Sequence, residues 1–202
     1  MLIYINLNEK TKMTNPVLSI NNLHIKWNIA ENETTPVETL KVLATDEDYC
    51  VRMHIARNPN TPIETLNLLA TDKNNNLRRY VACNPNTPIE TLKVLANDED
   101  CDVRSMVAYI PNTPVETLKV LANDEDVLVR RCVADNPNTP VETLKVLATD
   151  KNKNVRRCVA DNPNTPAEAS SITKAFVPMK ATKSKNTYKA RDYVLLPPPG
   201  LY

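Results

Sequence analysis

The chain has 202 residues, the length of one ordinary domain, and its 42% apolar but only 4% aromatic content requires a core built from Leu, Val, Ile and Ala. A single glycine, Gly200, stands against 16 prolines; phosphate-cradling loops, dinucleotide fingerprints and nucleophile elbows all need glycine at sharp turns, so most nucleotide-using enzyme classes are excluded. The net charge of +1 divides into 0 over residues 1–34, −3 over 35–164 and +4 over 165–202, so the body of the chain lacks the basic excess of a nucleic-acid binder.

In chain order, residues 1–19 read as an extension. Its Met1–Leu7 apolar run is too short for a secretory h-region and lacks a basic n-region. No stretch approaches the roughly 18 apolar residues of a membrane span. The five cysteines, Cys50, Cys83, Cys101, Cys132 and Cys158, are odd in number and form no C-x-x-C pair. A reducing, cytoplasmic location is the expectation.

From residue 20 the chain is periodic. The string T-P-[VI]-E-T-L begins at Thr35, Thr61, Thr87, Thr113 and Thr139, with a period of 26 residues. A degenerate T-P-A-E-A-S follows at Thr165, and Ile25–Asn32 aligns with Val51–Asn58. The expected organisation is a half-repeat cap over 20–34, five repeats over 35–164 and an altered closing cap over 165–176, together one solenoid over 20–176. Atypical end units suit a stacked array, because each must face water on one side.

Each unit reads as two short helices. Thr35 is an N-cap candidate, Pro36 fits a first helical turn, and Glu38 would complete a capping box. Val37, Leu40, Leu43 and Ala44 then share one helical face, predicting a first helix over about 36–44. Asp46 and Asp48 are the next cap candidates, and Val51 and Ile55 lie on the core face of a second helix over about 49–56. Asn58-Pro59 ends it, since proline cannot continue a helix. Neighbouring units about 10 Å apart would give a stack about 50 Å long.

The run N-P-N-T-P-x-E-T-L-x-x-L-A-x-D followed by V-R-x-x-V-A, as in Asn136 to Ala160, resembles the leucine-rich repeat variant family and, more loosely, HEAT-type repeats. The resemblance implies an all-α, right-handed superhelix of alternating α and 3₁₀ helices, which leaves open a second or first helix that is 3₁₀ in part. Some members of the family carry a four-cysteine iron–sulphur domain, but residues 1–49 contain no Cys, so that cofactor is not expected. The family implies a binding scaffold without specifying a ligand.

Two columns recur in all five units: Arg52, Arg78, Arg104, Arg130 and Arg156, and, six residues earlier in each, Asp46, Asp72, Asp98, Asp124 and Asp150. An arginine stripe could hold phosphates. Matched numbers of Asp and Arg favour a structural ladder, each Asp capping a second helix and pairing with an Arg of its own or the next repeat. The variable second-helix positions 49/53/57 and their equivalents share one face, too diverse for a core and therefore expected to be exposed. Tyr49, Arg79, Tyr109, Arg131 and Arg157 are the candidate partner-binding residues on it, and Tyr109 is followed by Ile110 where the other four repeats have Asn. Only His24 and His54 exist, neither in an acidic motif, and no catalytic residue, metal or cofactor is expected. Residues 177–202 read as a flexible basic tail ending in Pro197-Pro198-Pro199. The expectation is a monomeric, non-enzymatic scaffold for a protein partner. Its alternative is a nucleic-acid-associated protein that uses the Arg column and the basic tail.

Overall fold

The computed structural model describes residues 23–167 and 169. The extension 1–19, most of the closing cap 165–176 and the tail 177–202 lie outside the described residues. The described residues form eleven helices and no strand. After α1 (Leu23–Glu31) two kinds of helix alternate. The first helices are α2 (Val37–Leu43), α4 (Ile63–Leu69), α6 (Ile89–Leu95), α8 (Val115–Leu121) and α10 (Val141–Leu147). The second helices are α3 (Tyr49–Arg57), α5 (Asn75–Cys83), α7 (Cys101–Tyr109), α9 (Val127–Asp135) and α11 (Lys153–Asp161). Every boundary recurs 26 residues later, within a residue or two of the sequence expectation.

Helices of seven and nine residues are marginal in isolation. Burial against neighbouring copies holds them: Leu40, Leu43, Val51, Ile55 and their equivalents form one continuous core from Ala30 to Ala169. Consecutive second helices pack directly on one another, whereas each first helix packs chiefly on the second helices flanking it. The first helices are α-type in their bodies, and i→i+3 bonds such as Thr45 N–H to Val42 O and Asp46 N–H to Leu43 O tighten their ends.

Two local expectations are corrected. Thr35 does not cap the first helix, for Pro36 holds the N-cap position without a side-chain bond and Glu38 pairs with Lys41 at 2.9 Å. The Thr35 hydroxyl instead donates backwards to Ile29 O, and Thr61 donates to Ile55 O. The five-residue turn is so short that the threonine lies nearer the end of the preceding helix and satisfies a carbonyl there. Val37 is also not in the core: it is 44% exposed, and Ile63, Ile89, Val115 and Val141 are exposed with it. The buried stripe runs instead through Thr65, Leu66 and Leu69 and their equivalents, a face turned away from position 63. Leu68, Val94, Val120 and Val146 are likewise 51–62% exposed, giving the outer side an apolar row.

Asparagine ties the units together. In the N-P-N-T-P turn, Asn58 is buried and donates its amide to Ala30 O at 2.8 Å and Asn32 O at 3.0 Å in the preceding unit, while its side-chain oxygen accepts from Asn60 N–H. Asn60 in turn donates to Glu33 O. Asn84, Asn136 and Asn162 repeat the arrangement on Ala56/Asn58, Ala108/Ile110 and Ala134/Asn136. Carbonyls at the ends of α1, α3, α7 and α9, which have no intrahelical donor, thus receive one from the next unit.

Candidate partner-binding surface

The arginine column is used up inside the stack. Arg52 Nε donates to Asp72 Oδ2 at 2.6 Å, and Arg78, Arg104 and Arg130 do the same to Asp98, Asp124 and Asp150 at 2.6–2.7 Å. Each guanidinium also reaches back to the backbone of its own unit, as Arg104 Nη1 does to Asp98 O and Glu99 O. Each arginine therefore clamps the turn of its own repeat to the carboxylate of the next. The expectation that these aspartates cap the second helices is corrected. Each fixes its turn, as Asp72 Oδ1 does by accepting from Asn74 N–H. The residue two further on (Asp48, Asn74, Asp100, Asp126, Asn152) supplies the cap, because the turn places the column residue before the helix start. Lys26 begins the series by donating to Asp46 at 2.6 Å. Arg156 donates to Asp150 O, and the position of its next carboxylate is Phe176, outside the described residues. These buried arginines offer no stripe to phosphate.

Burial opposes ionisation of Asp72, Asp124 and Asp150, but the arginine hydrogen bond, a backbone N–H and the guanidinium charge outweigh it and hold all three carboxyls below their ordinary value.

The second-helix face is more enclosed than its chemical variety suggested. Tyr49 and Tyr109 are 49% and 45% exposed, and the Arg157 side chain is 80% exposed, 3.8 Å from Asp161. Arg79 and Arg131 are half-buried, as are Met53, Arg57 and Cys83, and Ser105 is buried. Direct stacking of second helices covers part of this face at every step. Arg57 lies over the Tyr80 ring, 5.5 Å from its centroid, and Trp27 stacks at a tilt on His54.

A cavity of about 420 Å³ opens where this face meets the turns. Arg57 and Cys83 line it together with Asn58, Pro59, Pro85 and residues 110–112, and Glu31 and Glu33 lie at its far end. It therefore spans four consecutive units, from the opening half-repeat to the third repeat. Ile110, whose side chain packs on the core and has no amide to donate, forms one of its walls.

The thiols near this face are poorly suited to nucleophilic work. Burial pushes Cys83 up to about 11, and burial together with the neighbouring Asp135 pushes Cys132 and Cys158 up to about 12. Iodoacetamide at pH 8 should therefore modify Cys132 and Cys158 on the order of 10³-fold more slowly than an unstructured cysteine, set by the thiolate fraction. Peptide mass mapping over time checks this; modification of either at the unstructured rate would show a thiolate that the packing does not permit.

A solved structure described as a leucine-rich repeat variant with a novel repetitive protein structural motif superposes on this chain with a TM-score of 0.61 and 26% identity, covering 79% of this chain and 68% of the other. The repeat is of the leucine-rich repeat variant type. No family model matches, and neither does any curated protein. In this variant repeat the aspartate–arginine clamps and asparagine ties lie at the junctions between units. The cavity and the two exposed tyrosines are features of particular units. No helix among the described residues is long and apolar enough to cross a membrane.

Proposed function

We propose that this chain is a non-enzymatic scaffold that holds a protein partner against the second-helix face, with Tyr49, Arg79, Tyr109, Arg131 and Arg157 contributing contacts. The observation that carries this reading is the cavity across four units beside that face, with Tyr109 adjoining its Ile110 wall. Tyrosine brings large contact area at small conformational cost, and concave repeat surfaces are where solenoids generally bind. A nucleic-acid partner is less well supported, because the recurrent arginines are engaged with carboxylates.

The test begins with proteins retained by the immobilised chain, which are then purified and titrated back by calorimetry. The Tyr49→Ala/Tyr109→Ala double variant should bind at least tenfold more weakly, with Tm within about 2 °C of the parent, because exposed positions contribute little to folding. Undiminished binding would move the site off this face. A steep loss of affinity with salt, and retention of RNA or DNA, would favour the nucleic-acid reading.

A further inference from the structure

Four of the five junctions between successive turns are closed by an asparagine amide that donates to two carbonyls of the unit before: Asn58, Asn84, Asn136 and Asn162, at 2.7–3.0 Å. The middle junction has Ile110 in that position. Four interactions are missing there at once. Ala82 O has no hydrogen-bond donor among the described residues, and Asn84 O keeps only Thr87 N–H. Asn112 N–H has no side-chain oxygen at 110 to meet, and the Asn112 amide does not make the bond to Pro85 O that Asn60, Asn86, Asn138 and Asn164 make in their units. A buried carbonyl without a donor is costly, and Ala82 is buried. Both Ala82 and Asn84 line the cavity, with Pro85, Ile110 and Pro111 as apolar walls.

We propose that this cavity is a recognition pocket for a primary carboxamide, the side chain of an asparagine in a loop of a partner protein, which supplies Ala82 O and Asn84 O with the donor that Ile110 withholds. The chain itself demonstrates the fit four times, since an NH₂ group placed between two such carbonyls is what closes every other junction. A neutral amide suits the pair better than an ammonium. Two carbonyl dipoles supply no full counter-charge, and Glu31 and Glu33 belong to the opposite end of the cavity. The Ile110 and proline walls favour a residue flanked by apolar or proline neighbours. The proposal deepens the scaffold reading and rests on it, because it names the chemistry at one point of the same surface.

The probe is the acetylated and amidated peptide Asp-Asn-Pro-Asn-Thr, this chain's own sequence at 135–139, titrated into the ¹³C,¹⁵N-labelled full chain by NMR. Saturable shifts of the Ala82 and Asn84 carbonyl carbons are expected. Replacing the peptide's first Asn by Leu or Asp should weaken binding at least tenfold. In the protein, Ile110→Asn should close the pocket from within, raising Tm and weakening the peptide at least tenfold. Equal binding of the Leu peptide would overturn the proposal in favour of a merely apolar cleft, tighter binding of a Lys peptide would assign it to an ammonium, and no shift with any peptide would leave it to solvent. A purified partner that needs Tyr49 and Tyr109 yet ignores Ile110→Asn would sink this inference while the scaffold reading stands.

Discussion

Arg104→Ala should lower the unfolding free energy by about 3 kcal/mol, within the range for removing one member of a buried ion pair. The cost comes mainly from what is left behind. Asp124, its side chain only 8% exposed, would keep Asn-type turn bonds to Asp126 N–H but lose both guanidinium donors, and Asp98 O and Glu99 O would lose theirs. Adding Asp124→Ala should therefore cost little more than the single change, which a double-mutant cycle by urea unfolding measures. Arg104→Lys should fall between, because an ammonium keeps the charge but cannot fork over carboxylate and backbone together. The same ladder sets the acid limit. Asp72, Asp124 and Asp150 have folded values below their unfolded value of 3.8. Their contribution is present in full above that value and is lost as pH falls through the lower folded values. The parent should hold its urea midpoint from pH 7 to about 5 and lose it below about 4, and Arg104→Ala should flatten that fall. A loss under about 0.5 kcal/mol for Arg104→Ala would mean that the clamp is exposed and screened.

Much of the architecture was legible because repetition turns one chain into five observations of the same unit. The period set the helix boundaries, and Pro59 with its equivalents marked where each second helix stops. Side-chain direction within a turn was harder. Thr35 matches a capping-box pattern letter for letter, yet whether its hydroxyl serves the helix ahead or the one behind depends on how tightly N-P-N-T-P folds, and the structure sends it backwards. Val37 has the spacing of a core residue, but a seven-residue helix covered only by its flanking second helices buries a narrow stripe that excludes it. The second-helix face varied too much to be core and still is half-buried, since residues at a helix–helix seam can vary when their outer edges remain wet. Arg79 and Arg131 illustrate this. The asparagines were the largest omission. As breakers they explained the turn completely, so nothing in the letters asked for a second role, although their recurrence in four of five equivalent places was a signal of one. Ile110 stood out as a departure, but its consequence depends on carbonyls in the unit before, 26 and 28 residues away.

Asn136→Ala should destabilise the chain by about 3 kcal/mol and also change how it unfolds. Asn136 is buried, and the substitution removes two amide bonds to Ala108 O and Ile110 O and the acceptor that holds Asn138 N–H. Ala108 O lies past the last intrahelical bond of α7, so it would become a second orphan beside the one Ile110 already creates at Ala82. Two adjacent junctions would then lack their ties. In a linear array stability is a sum of unit and nearest-neighbour terms, so weakening successive interfaces separates the array at that point instead of spreading the loss. Urea unfolding followed by circular dichroism should change from one transition to two. Hydrogen exchange should show the amides around 110–113 and 136–139 opening before those of α3 and α11. The equivalent change at Asn58, next to an intact junction, should cost a similar free energy while unfolding stays a single transition. Two transitions in both variants would mean that the chain breaks wherever any tie is lost. A single transition in both would mean that the core column Leu118, Val129 and Val133 carries the coupling across the middle without the asparagines.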